Sequence, residues 1–336
     1  MTLGGWLDFW LERYSKPVTR QSTYISYETY IRVHIKPSIG DVSLRHLTAD
    51  TMQNFFNVLA VNGRKDRKSG GLSTKTLRNI RNMLHLSLEQ AIVNELLVKN
   101  VMKLIKLPKQ RKQEMRVLSV QEQQQLEEAI RQSNEVLPWG ILFALYTGVR
   151  LGELLALRWS DINEAAGSVY INNSLRRQSI KGEIKAGDYT IIPSDPDNKT
   201  ALMIGHVKTQ KANRVIYLPQ KAMEALSHFK DWQEEMKLKS GASFNKMNLV
   251  ICTEQGLPVD ARTYQDVFGR VVARSGIVKA NFHCTRHTFA TRALERNADL
   301  NTLAELLGHA QPSTTLNMYG HSFDDRKRKL MLGFDT

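Results

Sequence analysis

Residues suited to phosphate chemistry recur through the second half of the sequence and end with a tyrosine near the carboxyl terminus. Arginine carries a planar, permanently charged guanidinium that binds two non-bridging phosphate oxygens at once. A tyrosine hydroxyl that loses its proton to a base can attack phosphorus and become the point of covalent attachment. The set predicts attack on a phosphodiester without a metal or another cofactor, and its members are Arg150, Lys208, His283, Arg286, His309 and Tyr319.

The sequence around Arg150 favours an anion site. Thr147 and Gly148 form a predicted turn between two helices, which places Arg150 at a helix start. Unpaired backbone N–H groups at such a start also attract an anion. Glu153 follows one turn later and is expected to support the site by hydrogen bonding to its neighbours.

A histidine-rich segment raises the question of a metal. His283, Arg286 and His287 are spaced i, i+3 and i+4, so one helix would point all three the same way, with His287 as a supporting residue. Two histidines four apart also suit zinc, but the zincin pattern requires Glu directly after the first histidine, where this sequence has Cys284. We therefore predict no metal. His309 in its Leu-Leu-Gly-His turn would, alone, more often be structural.

Charge is concentrated in the first third of the chain. Residues 1–112 carry 19 Lys and Arg against 8 Asp and Glu, whereas the other residues carry 28 against 25, within a net charge of +14. A strongly basic segment joined to a nearly neutral one is typical of nucleic-acid binding, with a solubilising basic surface as the alternative. The absence of a long apolar run, a secretory signal and closely spaced cysteines in the sequence favours a cytoplasmic protein without a membrane span.

The first 107 residues are predicted to form helices joined by short turns. Trp6 and Trp10 belong to the apolar stripe of a first helix. A second helix is expected from about residue 22 to residue 35, with its end at Pro37. Thr48 is the predicted N-cap of a third helix, and a longer fourth helix is expected to start after Ser73.

Basic side chains of this region are expected to face DNA. The fourth helix has an apolar stripe and a separate basic stripe, and a basic loop precedes it. Such a geometry lays cations along a phosphate backbone while the other face packs, although ordinary helix solvation is the alternative. The predicted DNA-binding residues are Arg64, Lys65, Arg67, Lys68, Lys75, Arg78 and Arg81.

A polar, mostly charged segment, residues 108–116, is predicted to link two domains. Ser119 and Glu122 then form the capping box of a new helix. The second domain is predicted to be helical with strands at residues 168–172, 202–207 and 214–218, the last two joined by a polar turn. Residues 176–200, rich in Gly, Pro, Asp and Lys, are expected to form an exposed excursion.

In this order the motifs resemble those of the tyrosine recombinase (phage integrase) family. They read Thr-Gly-Val-Arg-Leu-Gly-Glu, Lys-Thr-Gln-Lys-Ala-Asn-Arg, His-Cys-Thr-Arg-His, Leu-Gly-His and Thr-Thr-Leu-Asn-Met-Tyr-Gly-His. All six catalytic positions that the resemblance implies are filled by residues able to act. The likeness spans essentially the whole chain and is greatest to integrases of conjugative transposons and related phages. Those integrases usually carry a further domain for arm-type DNA sites, and arm binding is not predicted here because the sequence begins at the core-binding helix.

The resemblance implies a mainly α fold with a small antiparallel β-sheet, arranged as a C-shaped clamp on DNA. A core-binding bundle would occupy residues 1–107, the catalytic domain residues 117–321, and a tail at residues 322–336 would dock on a neighbouring subunit or pack on its own. Implied partners are double-stranded DNA at recombination sites, a second subunit on one site, a homo-tetramer in the synaptic complex and a possible directionality factor. The protein would be bacterial and nucleoid-associated.

The resemblance also implies a role for each residue. Tyr319 would attack the scissile phosphate, leaving a 3′-phosphotyrosyl link and a free 5′-hydroxyl. Arg150 and Arg286 would hold the non-bridging oxygens, and His309 would add a hydrogen bond. Lys208 would be the acid for the departing 5′-oxygen, and His283 the base for the tyrosine.

Alternatives within and outside recombination remain. A type IB topoisomerase would use the same chemistry on one duplex, and a DNA-binding protein with a decayed site would use none. Chromosome-dimer resolution or inversion is possible within the family. Integration and excision of a mobile element ranks first because the amino-terminal likeness points there.

Overall fold

The computed structural model describes residues 1–66, 68–109, 115–179, 189–192, 199–206, 212–241 and 244–309, with positions 311, 313, 315, 316 and 331. The chain divides into two structural units, Met1–Gln113 and Glu114–Thr336. Both units are built mainly of helices, and the two small antiparallel sheets of the described residues belong to the second. The predicted fold class, mainly α with small antiparallel β structure, is confirmed.

Apolar helix faces form the core of the first unit. The side chain of Thr48 accepts a hydrogen bond from a backbone N–H at a helix start, as the sequence predicted, and the side chain of Ser73 does the same at the start of the fourth helix. Trp6 is fully buried, and its indole N–H donates to the Ser87 carbonyl at 3.1 Å, which ties the first helix to the last. The helices are α1 (Leu3–Trp10), α2 (Gln21–Tyr30), α3 (Lys36–Ile39), α4 (Ala49–Asn62) and α5 (Thr74–Val93).

The prediction that the second helix ends at Pro37 is wrong. A π-helical turn at Ile31–Ile35 follows α2 and leads into α3, in which Pro37 occupies one of the first two positions. In this turn the Lys36 N–H donates to the Ile31 carbonyl five residues earlier. A π turn is wider than an α turn, so the helical backbone accommodates a residue without an N–H donor and continues to Ile39.

An almost fully apolar helix lies inside the second unit. This helix, α7 (Trp139–Thr147), packs against α9 (Gln220–Ser240) and α11 (His283–Glu295), and the predicted Ser119–Glu122 capping box opens α6 (Val120–Arg131). Within the described parts of the chain, no helix is both long and apolar enough to cross a bilayer. The helices are α6 (Val120–Arg131), α7 (Trp139–Thr147), α8 (Leu151–Leu155), α9 (Gln220–Ser240), α10 (Ala261–Arg274), α11 (His283–Glu295) and α12 (Leu300–Leu307).

The strands of the second unit form two separate three-stranded antiparallel sheets, in the orders β1-β2-β6 and β3-β5-β4. The predicted excursion at residues 176–200 is therefore partly wrong, because Asn173–Ser179 pairs along its whole length with Thr200–His206. The polar residues of this strand form its outer face, whereas Leu175 in the same strand is buried. The strands are β1 (Ile162–Asn163), β2 (Ser168–Ile171), β3 (Asn173–Ser179), β4 (Tyr189–Ile191), β5 (Thr200–His206) and β6 (Arg214–Tyr217).

The strands on either side of residues 209–213, which the sequence predicts to be joined by a polar turn, belong to different sheets. β6 pairs with β2 in the register Val169↔Ile216 and Ile171↔Arg214, while β5 pairs with β3 and β4. Ile216 and Arg214 both face inward, and their inward partners lie on β2. Burial of this face fixes the partner more strongly than closeness in sequence does.

Candidate active site

A left-handed turn after α7 delivers Arg150. Gly148 ends α7 with φ +66°, and a Cβ at this position would stand 2.4 Å from the ring of Phe289. Glycine is therefore required both by the backbone conformation and by the close approach. Two residues later Arg150 is the N-cap of α8, and 38% of its side chain is exposed to solvent.

The carboxylate of Glu153 is buried between two arginines. Its Oε1 accepts from Arg150 Nη1 at 2.6 Å, and its Oε2 accepts from the Arg150 backbone N–H at 3.0 Å. The same Oε2 accepts from Arg214 Nη2 at 2.8 Å. Although burial acts to raise the pKa of Glu153, the charges and hydrogen bonds of Arg214 and Arg150 hold that pKa below its ordinary value. The group is therefore ionised at neutral pH and fixes the direction of Arg150.

Arg214 is a further member of the site, which the sequence did not predict. Its side chain is 5% exposed, and besides Glu153 it donates from Nε to the Leu306 carbonyl at 2.6 Å and from Nη1 to the Ala212 carbonyl at 3.1 Å. Its signal in the sequence is its place as the last residue of the Lys-Thr-Gln-Lys-Ala-Asn-Arg motif, which begins with Lys208. Arg214 joins β6 to α8 and α12.

Helix α11 places Arg286 in the protein interior, with 1% of the residue exposed. Its Nη1 donates to the Gly148 carbonyl at 2.7 Å, and its Nη2 donates to the Leu307 carbonyl. The rings of His283 and His287 meet edge to face with centroids 4.6 Å apart. The structure thus brings together the three residues whose spacing predicted a common direction, with His283 accessible and His287 buried.

The carboxyl end of α12 gathers the arginines. Gly308 ends the helix with φ +61°, and its carbonyl accepts from Arg150 Nη2 at 3.2 Å. With the contacts to Leu306 and Leu307 described above, three consecutive carbonyls each bind a different arginine. The partial negative charge of a helix carboxyl end favours cations there. His309 follows directly, and its Nδ1 lies 2.8 Å from Thr315 Oγ1.

The histidines of the site are held in the neutral form. Burial, followed by the charges of His283 and Arg286, lowers the pKa of His287 to about 4. Burial and then the neighbouring arginines lower the pKa of His309 to about 4. Partial desolvation, followed by the arginine charges, lowers the pKa of His283. A neutral, accessible imidazole can accept a proton, so His283 is suited to act as a base.

These groups form a cationic site for an anion. Arg150 and Arg214 bind the buried carboxylate of Glu153, while Arg286 binds the carbonyls of Gly148 and Leu307, and the surplus positive charge attracts a phosphate diester. Within the described residues, no group of three His, Cys, Asp or Glu side chains could hold a metal ion. The arrangement fits electrostatic stabilisation of negative charge that develops on phosphate oxygens.

Two predicted members of the site, Lys208 and Tyr319, lie outside the described residues, as do Arg67 and nearly all of the predicted tail. Among the predicted DNA-binding residues, Arg64 forms a two-point ion pair with Asp66, with N–O distances of 3.0 and 2.7 Å. Lys65, Lys68, Lys75 and Arg78 are exposed, and Arg81 is partly buried on α5.

Comparison with known proteins identifies the family. The phage integrase family matches residues 116–326, and the phage integrase N-terminal SAM-like domain matches residues 2–60. A XerC-like tyrosine recombinase of Caldanaerobacter subterraneus subsp. tengcongensis is 28% identical over 97% of this chain and 81% of its own length. The ICEBs1 integrase of Bacillus subtilis is 24% identical over 80% of this chain and 67% of its own length.

Solved structures show the same fold. The Tn1549 transposon integrase in complex with a circular intermediate DNA superposes with a TM-score of 0.78 at 18% identity, over 99% of both chains. A lambda integrase dimer bound to a core site gives a TM-score of 0.62 at 21% identity, over 94% of this chain and 97% of that one. The family match covers most of the chain, and the chain therefore belongs to the phage integrase family: it is a tyrosine recombinase, a site-specific enzyme that cuts and rejoins DNA.

Proposed function

We propose that this recombinase integrates and excises a mobile element, and that its chemistry takes place at the arginine cluster around Glu153. The observation that carries the proposal is the convergence of Arg150 and Arg286, from separate helices, on adjacent carbonyls at the end of α12, beside three neutral histidines. The similarity to the ICEBs1 integrase and the fold shared with the Tn1549 transposon integrase support the mobile-element assignment.

The proposed cleavage step is a transesterification. The oxygen of Tyr319 attacks phosphorus while His283 takes its proton, and the bond from phosphorus to the 5′-oxygen breaks. Lys208 gives a proton to that oxygen, so the products are a 3′-phosphotyrosine and a 5′-hydroxyl. The number of phosphoester bonds is unchanged, and a 5′-hydroxyl from another duplex can reverse the step without ATP.

The two arginines are proposed to stabilise the pentacoordinate transition state. Arg150 is partly open to solvent and can reach a DNA phosphate, whereas Arg286 is buried and held by two carbonyls. Loss of one such donor costs roughly 10²–10³ in rate in other enzymes. His309, next to the carbonyl that binds Arg150, is proposed to add a hydrogen bond to the phosphate.

The remaining assignments stay proposals. Residues 1–107 bind the core DNA, and the exposed cations of the Arg64 loop and of α5 lie along the DNA backbone. Residues 108–116 link this domain to the catalytic domain at residues 117–321. The tail at 322–336 docks on a neighbouring subunit. Two subunits occupy one recombination site, and four subunits form the synaptic complex. A directionality factor is a further partner. The complex assembles in the cytoplasm, on nucleoid-associated DNA.

A covalent-trapping experiment tests the nucleophile. A duplex from the element's ends, nicked beside the cleavage position, loses a short fragment after attack and so traps the protein on DNA. Wild type should form a denaturation-resistant adduct, while Tyr319→Phe should bind the duplex and form none. Tyr217→Phe, which alters an exposed tyrosine in the same unit, is the matched control and should form the adduct normally. An adduct with Tyr319→Phe would move the nucleophile elsewhere.

A leaving-group experiment tests the acid. Replacing the bridging 5′-oxygen by sulfur gives a better leaving group that needs no proton. Lys208→Ala should cleave the ordinary substrate poorly and the sulfur substrate nearly as fast as wild type does. If sulfur gives no selective rescue, Lys208 is not the acid.

Chromosome-dimer resolution is the second candidate function, because the XerC-like relative is similar over almost the whole chain. Mapping the adduct positions on the element's ends separates it from integration. Cleavage at both ends with exchange between two marked duplexes supports integration. Relaxation of supercoils without exchange would instead support topoisomerase-like activity.

A further inference from the structure

Each of the three side-chain nitrogens of Arg214 donates a hydrogen bond inside the protein. Nε binds the Leu306 carbonyl, Nη1 binds the Ala212 carbonyl and Nη2 binds Glu153 Oε2, with donor–acceptor distances of 2.6, 3.1 and 2.8 Å. The side chain is 5% exposed, against 38% for Arg150. A guanidinium in this state presents little of itself to DNA, so its effect on the reaction has to pass through the groups it binds.

One of those groups is the carboxylate that directs Arg150. Glu153 uses Oε1 for the Arg150 guanidinium and Oε2 for both Arg214 and the Arg150 backbone N–H. Without Arg214, the carboxylate keeps a single charged partner and is free to rotate toward it. Arg150 would then lose the fixed orientation that a phosphate fork requires.

The other group is the end of α12. Arg214 binds Leu306, two residues before Gly308, whose carbonyl binds Arg150, and three residues before His309. A Cβ at Gly308 would stand 2.9 Å from Arg214 Nη1, so the guanidinium packs closely against this turn. Arg214 therefore fixes the positions of β6, the start of α8 and the end of α12 relative to one another.

We propose that Arg214 is a positioning residue of the recombination site: it aims Arg150 at the scissile phosphate through Glu153 and sets the place of the His309 turn through Leu306. The inference rests on the proposed function of this site. A displacement of about 1 Å in a reacting arrangement can cost about 10²-fold in rate. We expect Arg214→Gln to slow adduct formation by about 30- to 100-fold.

The test is a pair of double-mutant cycles on the nicked duplex under single-turnover conditions. Residues that act through one another give non-additive losses. In an Arg150→Ala background, Arg214→Gln should cost less than about threefold, because only its effect through the His309 turn remains. In a Lys208→Ala background on the bridging-sulfur substrate, it should keep its full cost. A role in folding alone would give the same cost in both backgrounds, and that result would overturn the proposal.

Matched variants control for folding. Arg177→Gln removes another arginine of the same unit, paired with Asp260 at 2.6 Å but 47% exposed, and should leave cleavage unchanged. Arg214→Lys keeps the charge without the fork and should recover part of the rate. It replaces Arg214→Gln in both cycles if the glutamine variant melts early or fails to bind DNA.

A binding measurement separates this inference from the function on which it rests. Inorganic phosphate should raise the melting temperature of wild type and Arg177→Gln, and raise that of the folded Arg214 variant much less. Equal phosphate stabilisation of all three overturns the positioning role whether or not DNA is cut. Absence of an adduct with wild type and Arg177→Gln counts against the proposed function alone.

Discussion

Replacing Glu153 by Gln tests the electrostatic account of the site most directly. The carboxylate is 2% exposed and is the shared partner of Arg150 and Arg214. Glutamine has nearly the same shape, so the change removes the negative charge and one acceptor while leaving the packing intact. The arginines would then repel one another beside the buried Arg286 with less compensation.

The expected loss follows from burial. Breaking a buried ion pair by removing one partner costs about 3–5 kcal/mol, because the remaining charge stays desolvated. For a unit of the size of Glu114–Thr336, this loss corresponds to about 6–20 °C in melting temperature. A phosphate in the site would restore a negative charge, so DNA should stabilise Glu153→Gln more than it stabilises wild type.

The assay is thermal unfolding with and without the duplex from the element's ends. Glu164→Gln is the matched control, because its ion pair with Lys230 is more than half exposed on both sides and should be worth less than about 1 kcal/mol. The pKa of Glu153 is below its ordinary 4.5, so its stabilisation is full above that value and declines as the pH falls through the folded-state pKa. The difference between variant and wild type should shrink accordingly in acid. A variant that melts within about 1 °C of wild type at pH 7 would refute the reasoning.

Three further predictions concern backbone, protonation and assembly. Gly148→Ala should destabilise the protein and slow cleavage, since it adds a contact with Phe289 to the strain of a positive φ; Gly167→Ala, at φ +55° with open space around it, should show only the strain, about 1–3 kcal/mol, and equal effects would contradict the packing argument. Because the pKa of His287 is about 4 in the folded protein and 6.5 ordinarily, folding stability should fall as the pH drops from about 6.5 to about 4, by up to about 3 kcal/mol, and His287→Gln should flatten this part of a pH series of denaturant melts; an unchanged slope would reject it. Deleting the residues after His321 should weaken two-site complexes more than one-site complexes in gel-shift titrations, and unchanged synapsis would reject docking of the tail on a neighbour.

Local signals in the sequence predicted most of the helices. Thr48 and Ser119 cap the helices that the sequence predicts them to cap, and the fourth helix starts directly after Ser73 as expected, because capping depends on a side chain and a backbone N–H only two or three residues away. The helix end predicted at Pro37 was wrong, because a π turn before Pro37 lets the helical backbone continue past a residue without an N–H donor. No pattern of residues in the sequence indicates that turn. The sequence did not predict the partner of β6, because this partner, β2, is decided by a shared buried face rather than by closeness in sequence.

The site was predictable in its members more than in its connections. The spacing of His283, Arg286 and His287 on one helix carries enough information to place them together. Arg214 was missed as a site residue because its importance comes from contacts with Glu153 and the Leu306 carbonyl, which are distant in sequence. Such contacts form only when three separate elements meet.

Three arginines bind consecutive main-chain oxygens at the end of α12, and this arrangement has an evolutionary consequence. Main-chain oxygens are present whatever the side chain, so these contacts constrain residue identity at positions 306 and 307 only indirectly, through packing. Chain length is constrained far more severely. One residue inserted into α12 would rotate the residues after the insertion by about 100° about the helix axis. All three arginine–carbonyl hydrogen bonds would then be lost at once. We expect the residue types within this helix to vary among homologous sequences, while the number of residues from Asp299 to Gly308 stays constant.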